Sequence, residues 1–171
     1  MAKKQSTEAR RTAGVPKPTP AKLSRARRLA DALAKHYPDA HCELNFSSPL
    51  QLLIATILSA QATDVSVNKA TPALFAAFKT AADFAAATPE QIEPYIKTIG
   101  LYRSKAKAIH SACTTLIERF GGEVPRTMDE LLQLRGVARK TANVARGNCF
   151  NVNVGFVVHT HIDRLSNRLG L

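Results

Sequence analysis

The sequence predicts an all-α protein. Two observations carry that prediction. Helix starts recur: Ser48-Pro-Leu-Gln51, Thr88-Pro-Glu-Gln91 and Thr127-Met-Asp-Glu130 each set a hydroxyl residue at an N-cap with Gln or Glu three residues later. The first two also carry proline at the first helical position. The second observation is periodicity. Between Arg103 and Phe120 the apolar residues recur at helical rather than alternating spacing. Three helix starts in so short a stretch do not suit a sheet protein.

In chain order, residues 1–22 read as a disordered basic tail. Pro16, Pro18 and Pro20 alternate with small or basic residues, as in a stiff extended linker. Ordered structure is expected from near Leu23, with Ser24 capping a helix to about His36. The helix from Pro49 is apolar nearly all round, through Leu50, Leu52, Leu53, Ile54, Ile57 and Leu58, which marks it as the central buried helix. From Arg103 to Phe120, one stripe holds Ala106, Ile109, Cys113, Leu116, Ile117 and Phe120, and Gly121-Gly122 ends the helix. Val152, Val154, Phe156 and Val158 alternate as in a strand. With no partner strand in view, this stretch reads as an extended connection packed on the core.

Composition narrows the class. The 171 residues are 45% hydrophobic, and no apolar run reaches the ~18 residues of a membrane span. No apolar core of a secretory signal follows the N-terminus, so no membrane partner is expected. The net charge is +11, and residues 1–28 hold nine Lys or Arg against one acid, Glu8. Three readings fit that stretch: a solvated tail, an arm that neutralises phosphates and releases counterions, or a transit peptide. Cys42, Cys113 and Cys149 are far apart and form no CxxC pair. They indicate neither a zinc site nor a disulfide framework, and fit reduced thiols in a cytosolic protein.

The most informative segment runs from Met128 to Ala145. A short helix carries Leu131, Leu132 and Leu134, a tight turn follows at Gly136-Val137-Ala138, and a second helix begins with Arg139-Lys140-Thr141. This is helix-hairpin-helix grammar. Backbone N–H groups at the start of the second helix can hold a DNA phosphate, which positions the protein without reading sequence. Gly136, Val137, Ala138 and Arg139 are the candidate contacts. Lys140 faces the positive end of a helix dipole. That field, with partial burial, favours the neutral amine, the form that attacks a sugar C1′ and builds a Schiff base. A surface lysine on a phosphate-binding helix is the plainer alternative.

A longer set of motifs now matters: Glu43-Leu-Asn-Phe-Ser-Ser-Pro49, Leu58-Ser-Ala-Gln-Ala-Thr-Asp-Val-Ser-Val-Asn-Lys-Ala70, Tyr95-Ile-Lys-Thr-Ile-Gly-Leu-Tyr-Arg-Ser-Lys-Ala106 and Arg139-Lys-Thr-Ala-Asn-Val144. With these in order over residues 23–171, the chain resembles the endonuclease III family of helix-hairpin-helix DNA glycosylases. The resemblance implies a helix at 23–42 belonging to the second domain, a six-helix domain at 43–153 with its hairpin at 128–145, and the start of an incomplete second domain at 154–171. It implies DNA in the cleft between the domains, removal of oxidised pyrimidines and cleavage at the abasic site. The implied partner is double-stranded DNA with damaged bases or abasic sites, bound by a monomer in the bacterial cytoplasm and nucleoid. Lys140 matches the family's Schiff-base lysine. Gln61 matches a residue that fills the gap left by the flipped nucleotide, and Leu101 one that wedges into the duplex. Without the resemblance, Gln61 reads as a solvent-facing residue at a helix end and Leu101 as ordinary loop packing after Gly100.

The chain departs from the family's pattern in three places. The hairpin normally reads Leu-Pro-Gly-Val-Gly, and here reads Leu134-Arg-Gly-Val-Ala138. Should the last position need positive φ or close approach to phosphate, Ala138 costs about 1 kcal/mol. The family reads Val-Asp-Thr-His where this chain has Val158-His-Thr-His161. His159 thus stands at an aspartate's position, and a neutral imidazole supplies no negative charge for a cationic sugar. Asp163 is four residues on and, at about 6 Å further along a helix axis, is no substitute. Finally, the family continues into helices and a four-cysteine segment for an iron–sulfur cluster, whereas Cys42, Cys113 and Cys149 do not occupy those positions. No cofactor or metal is therefore expected in this chain, and Leu165, Leu169 and Leu171 are expected to lack cover.

Three functions compete: a glycosylase and abasic-site lyase, a non-catalytic DNA-binding remnant of the same family, and a small basic protein that binds nucleic acid through residues 1–28.

Overall fold

The computed structural model describes residues 17–152 and 160–170. Among these residues every regular element is a helix. They divide into two compact units, one within Met1–Ala40 and Thr160–Leu171, the other within His41–His159.

The first unit holds α1 (Pro20–His36) and α9 (Thr160–Leu169). The helix α1 begins earlier than the sequence reading expects. Thr19, not Ser24, is the N-cap and accepts from the Lys22 N–H at 3.3 Å, and Pro20 occupies the first turn. Proline there needs no N–H partner and already has helical φ, so Pro20 opens the helix and is not part of an extended linker. Residues 20–22 thus leave the expected tail. No residue of α1 is buried. On α9, Leu165 is 45% exposed.

The second unit is built on α2 (Pro49–Leu58), α3 (Asp64–Ala77), α4 (Ala81–Ala86), α5 (Pro89–Ile96), α6 (Tyr102–Phe120), α7 (Met128–Leu131) and α8 (Arg139–Phe150). Six of these have six residues or more, and α7 is a single turn. As its composition predicts, α2 is central: Leu52 to Leu58 are all buried, and the helix packs against α3, α6 and α8. Ser48 Oγ accepts from the Gln51 N–H at 3.3 Å, while the Gln51 side-chain Oε1 accepts from the Ser47 N–H at 2.8 Å. At α5 the Gln91 side chain accepts from the Thr88 N–H at 2.8 Å. On α6, Ala106, Ile109, Cys113 and Leu116 are buried, whereas Ile117 is exposed. Gly121 and Gly122, at φ of 61° and 86°, end that helix, with the Gly122 N–H donating to Leu116 O at 2.9 Å.

Two helices escaped the sequence reading. The helix α3 buries Val67, Ala70, Thr71 and Leu74, and contains Pro72 on its exposed face. Its Asn68 ties down the preceding chain, donating to Glu43 O at 2.7 Å and accepting from the Asn45 N–H at 2.9 Å. The short α4 is held by a capping box between Thr80 and Asp83 and by the buried Phe84. The ring of Phe84 lies 5.0 Å from Phe78, which meets Tyr95 edge-on at 5.6 Å.

Of the strand-like stretch, only Val152 is described. Its N–H donates to Arg146 O at 3.0 Å behind a left-handed Asn151. Residues 153–159 lie outside the described residues.

Candidate nucleic-acid interface

The hairpin between α7 and α8 is fastened to the core by three side chains: Leu131, Leu134 and Val137 are buried. Two turn hydrogen bonds shape it, from the Leu134 N–H to Leu131 O and from the Val137 N–H to Leu134 O, both 3.2 Å. Gly136 sits at φ +83°, where glycine carries no penalty. It is needed for space as well. A Cβ at Gly136 would stand 3.1 Å from the Ala108 Cβ and 3.5 Å from Ile57 Cγ2. Glycine therefore lets the hairpin lie directly on α2 and α6.

Ala138 corrects an expectation. It lies at φ −96° and ψ 173°, extended backbone open to any residue, so alanine pays no conformational cost there. It is the N-cap of α8, offers no side-chain cap, and its carbonyl accepts the first helical bond from the Ala142 N–H at 2.9 Å. Amides of that first turn have no intrahelical acceptor and point beyond the helix end. Arg135, Gly136, Ala138, Arg139 and Lys140 are exposed, while Val137 turns its side chain into the core. Lys140 is thus exposed, not partly buried as expected. Behind it, Thr141, Ala142 and Ala145 are the packing face of α8.

The helix starts differ in charge: the first turns of α1, α2, α6 and α8 hold no acid, and those of α1, α6 and α8 hold basic residues. Acids occupy the first turns of α3, α4, α5 and α7, as Asp64, Asp83, Glu90 and Asp129 with Glu130. None occupies the first turn of α6 or α8, where Arg103, Arg139 and Lys140 stand instead. The positive dipole ends of α6 and α8 are therefore reinforced rather than neutralised, which suits an anion.

Gln61 and Leu101 share an unusual backbone. They lie at φ 54° and 60°, left-handed values that cost a non-glycine residue about 1–2 kcal/mol each. Gln61 lies three residues beyond the end of α2, in the loop before α3, and Leu101 is the N-cap of α6. Leu101 is 65% exposed, so it does not serve as loop packing. The two loops meet through a residue the sequence reading passed over. Lys105 on α6 is buried, and its Nζ donates to Leu58 O, at the end of α2, at 2.8 Å. Burial pushes its ammonium below the usual lysine range. A signal was present, because Lys105, Ala108, Ile109 and Ala112 follow one helical stripe, which sets a lysine on a buried face. His159 lies outside the described residues.

Known proteins resemble this chain in sequence and in fold. Residues 54–171 match the model of the HhH-GPD superfamily of base excision DNA repair proteins. The chain is 51% identical to an endonuclease III of Synechocystis over 150 residues, 88% of this chain and 68% of that protein. It is 48% identical to the Escherichia coli K12 endonuclease III over 148 residues, 85% of this chain and 70% of that one. The structure of a trapped endonuclease III–DNA covalent intermediate superposes with a TM-score of 0.81 at 49% identity, covering 86% of this chain and 68% of the other. A thermostable thymine-DNA glycosylase shares the fold, with a TM-score of 0.78 at 23% identity. The chain belongs to the HhH-GPD superfamily and, within it, to the endonuclease III family. It spans about two thirds of the length of these relatives.

An iron–sulfur cluster needs four thiolates, and the thiols of this chain do not fit one. Cys113 lies in the core, where burial pushes its thiol up to about 12. Burial raises Cys149 as well, with a further contribution from Cys42. Among the described residues no group of three or more His, Cys, Asp or Glu side chains could hold a metal ion.

Proposed function

We propose that this chain is a base-excision DNA repair enzyme that removes oxidised pyrimidines and cleaves the resulting abasic site through a Schiff base on Lys140. One observation carries this reading: Lys140 is exposed in an acid-free first turn of α8, beside the hairpin, in a chain 49% identical to an endonuclease III caught as a covalent DNA intermediate.

In this reading double-stranded DNA lies along the hairpin. The Gly136 amide, the start of α8 beyond Ala138, and Arg139 hold one phosphate group, while Val137, whose N–H is taken by Leu134 O, anchors the turn to the core. Leu101 enters the duplex and Gln61 fills the space of the flipped nucleotide. The neutral Nζ of Lys140 attacks C1′. The C1′–N bond to the base breaks, and the base leaves with the electron pair and a proton. The bound amine then loses one proton, the C1′–O4′ bond opens as O4′ takes a proton, and an iminium forms. Removal of a C2′ proton expels the 3′ phosphate, and water releases Lys140. The enzyme works as a monomer, in the bacterial cytoplasm at the nucleoid. Among the described residues no helix is long and apolar enough to cross a membrane.

His159 favours a second reading, a DNA-binding protein with little chemistry. It stands where the family pattern has an aspartate, and an imidazole brings no negative charge to a cationic sugar. Borohydride trapping on abasic-site DNA decides between the two. Weak trapping by the wild type, none by Lys140→Ala and more by His159→Asp is the expected result. An untrapped wild type sinks the lyase reading, and an adduct that survives Lys140→Ala sinks the assignment of the nucleophile.

A further inference from the structure

We propose that Lys105 is a positioning residue that clamps the Leu101 turn to the Gln61 turn, fixing the spacing of the two loops. The inference rests on the functional reading above for what those loops do. It rests on the structure for how they are held.

Both turns are exposed and both are strained at a non-glycine residue, so neither is held by its own side chain. Such conformations persist when their surroundings over-determine them. Lys105 supplies that constraint from two directions. Its backbone N–H donates to Leu101 O at 3.0 Å and closes the first turn of α6 behind a residue that gives no side-chain cap. Its Nζ crosses to Leu58 O at 2.8 Å, across 47 positions of sequence. Leu58 O belongs to the last turn of α2, whose carbonyls lack helical donors, and a cation there also meets the negative end of the helix dipole. Three residues further on comes Gln61. One side chain thus joins the start of α6 to the end of α2, and each of those ends carries one strained turn. A buried amine needs a hydrogen-bond acceptor whichever protonation state it holds, so the link is not casually broken.

The test uses the full chain with Lys105→Met, which keeps the stem and removes the donor. Lys105→Gln, whose shorter amide still donates, serves if the first variant does not fold. Ile92→Val, in the core of α5, controls for lost stability. Single-turnover excision on a duplex carrying an oxidised pyrimidine, and affinity for the same duplex undamaged, are measured together. Lys105→Met is expected to slow excision about tenfold or more, as loss of a charge-assisted hydrogen bond would. Affinity for undamaged duplex is expected to stay within about twofold, because the hairpin is untouched. Combining Lys105→Met with Gln61→Ala or Leu101→Ala should add little further loss, since residues acting as one unit are not additive. Amide exchange at Ala62 and at position 105 should quicken in Lys105→Met.

Losses that multiply in the double variants, or a loss no greater than that of a melting-matched control, overturn the positioning role. Unchanged amide exchange at both turns overturns the clamp itself. If Gln61→Ala and Leu101→Ala leave excision intact while exchange still quickens in Lys105→Met, the clamp exists but the reading of the loops as duplex probes fails, and the positioning role fails with it.

Discussion

The hairpin and the Leu101 turn both reverse direction through a left-handed residue, yet they do so by different means. At Gly136 the residue is glycine, the position is tight, and the turn is pressed onto Ala108 and Ile57. At Leu101 the left-handed residue is a leucine that points to solvent, although Gly100 is its neighbour and has open space around it. The glycine turn is built for close packing and carries no strain. The leucine turn carries strain and an exposed apolar side chain, both of which lower stability. A stable fold alone would favour exchanging these two residues in sequence. The cost at Leu101 is consistent with a side chain kept for contact with something outside the protein.

Substitutions can break this contrast. The largest effect is expected from Gly136→Ala, which adds a Cβ 3.1 Å from another Cβ at a positive φ. It should cost about 2–3 kcal/mol in urea unfolding, from backbone strain and overpacking together. Because Ala108 lies on α6, the same helix as Cys113, the damage should be visible there. In the native protein, alkylation of Cys113 at pH 8 should be far slower than in the unfolded chain, since the side chain is buried and burial raises its thiol from 9.0 to about 12. Gly136→Ala should narrow that protection. The same shift has a sign in stability. The protonated thiol favours the fold below pH 9, and this contribution is lost as pH rises from 9 towards 12.

A gain of about 1 kcal/mol is expected from Ala138→Ser, which gives α8 the side-chain cap it lacks without changing an extended backbone. No gain in thermal melting would mean that the first turn is capped in some other way. The smallest effect is expected from Leu101→Gly. Relief of left-handed strain, less the entropy of glycine, should stabilise the protein by about 0.5 kcal/mol. Excision should fall at the same time. A variant both more stable and fully active would remove the reason offered for the leucine.

Much of the fold was legible in the sequence because caps and stripes are local. Ser48, Thr88 and Thr127 each start a helix, and the apolar run from Leu52 to Leu58 is the buried centre. Three features were misread or missed, each for a physical reason. Pro20 looked like linker, because proline serves both an extended chain and the first turn of a helix. The helix α3 drew no reading of its own, and whether its Pro72 meets solvent or the core is a tertiary fact. Ala138 looked strained because the family's pattern has glycine there, yet its backbone is extended.

The candidate site divides in the same way. Its hairpin, with Lys140 in the first turn of the second helix, follows from residue order alone, because a turn and the helix after it are set by near neighbours. Which glycine must be glycine was decided by Ala108 and Ile57, which come from two other helices. That Leu101 is left-handed and bare, and that a lysine 47 positions from Leu58 holds the two loops together, were likewise decided only when α2 and α6 packed. Local sequence sets what a segment can form. Burial, strain and long-range hydrogen bonds depend on which distant segment is brought against it, and the fold alone supplies that.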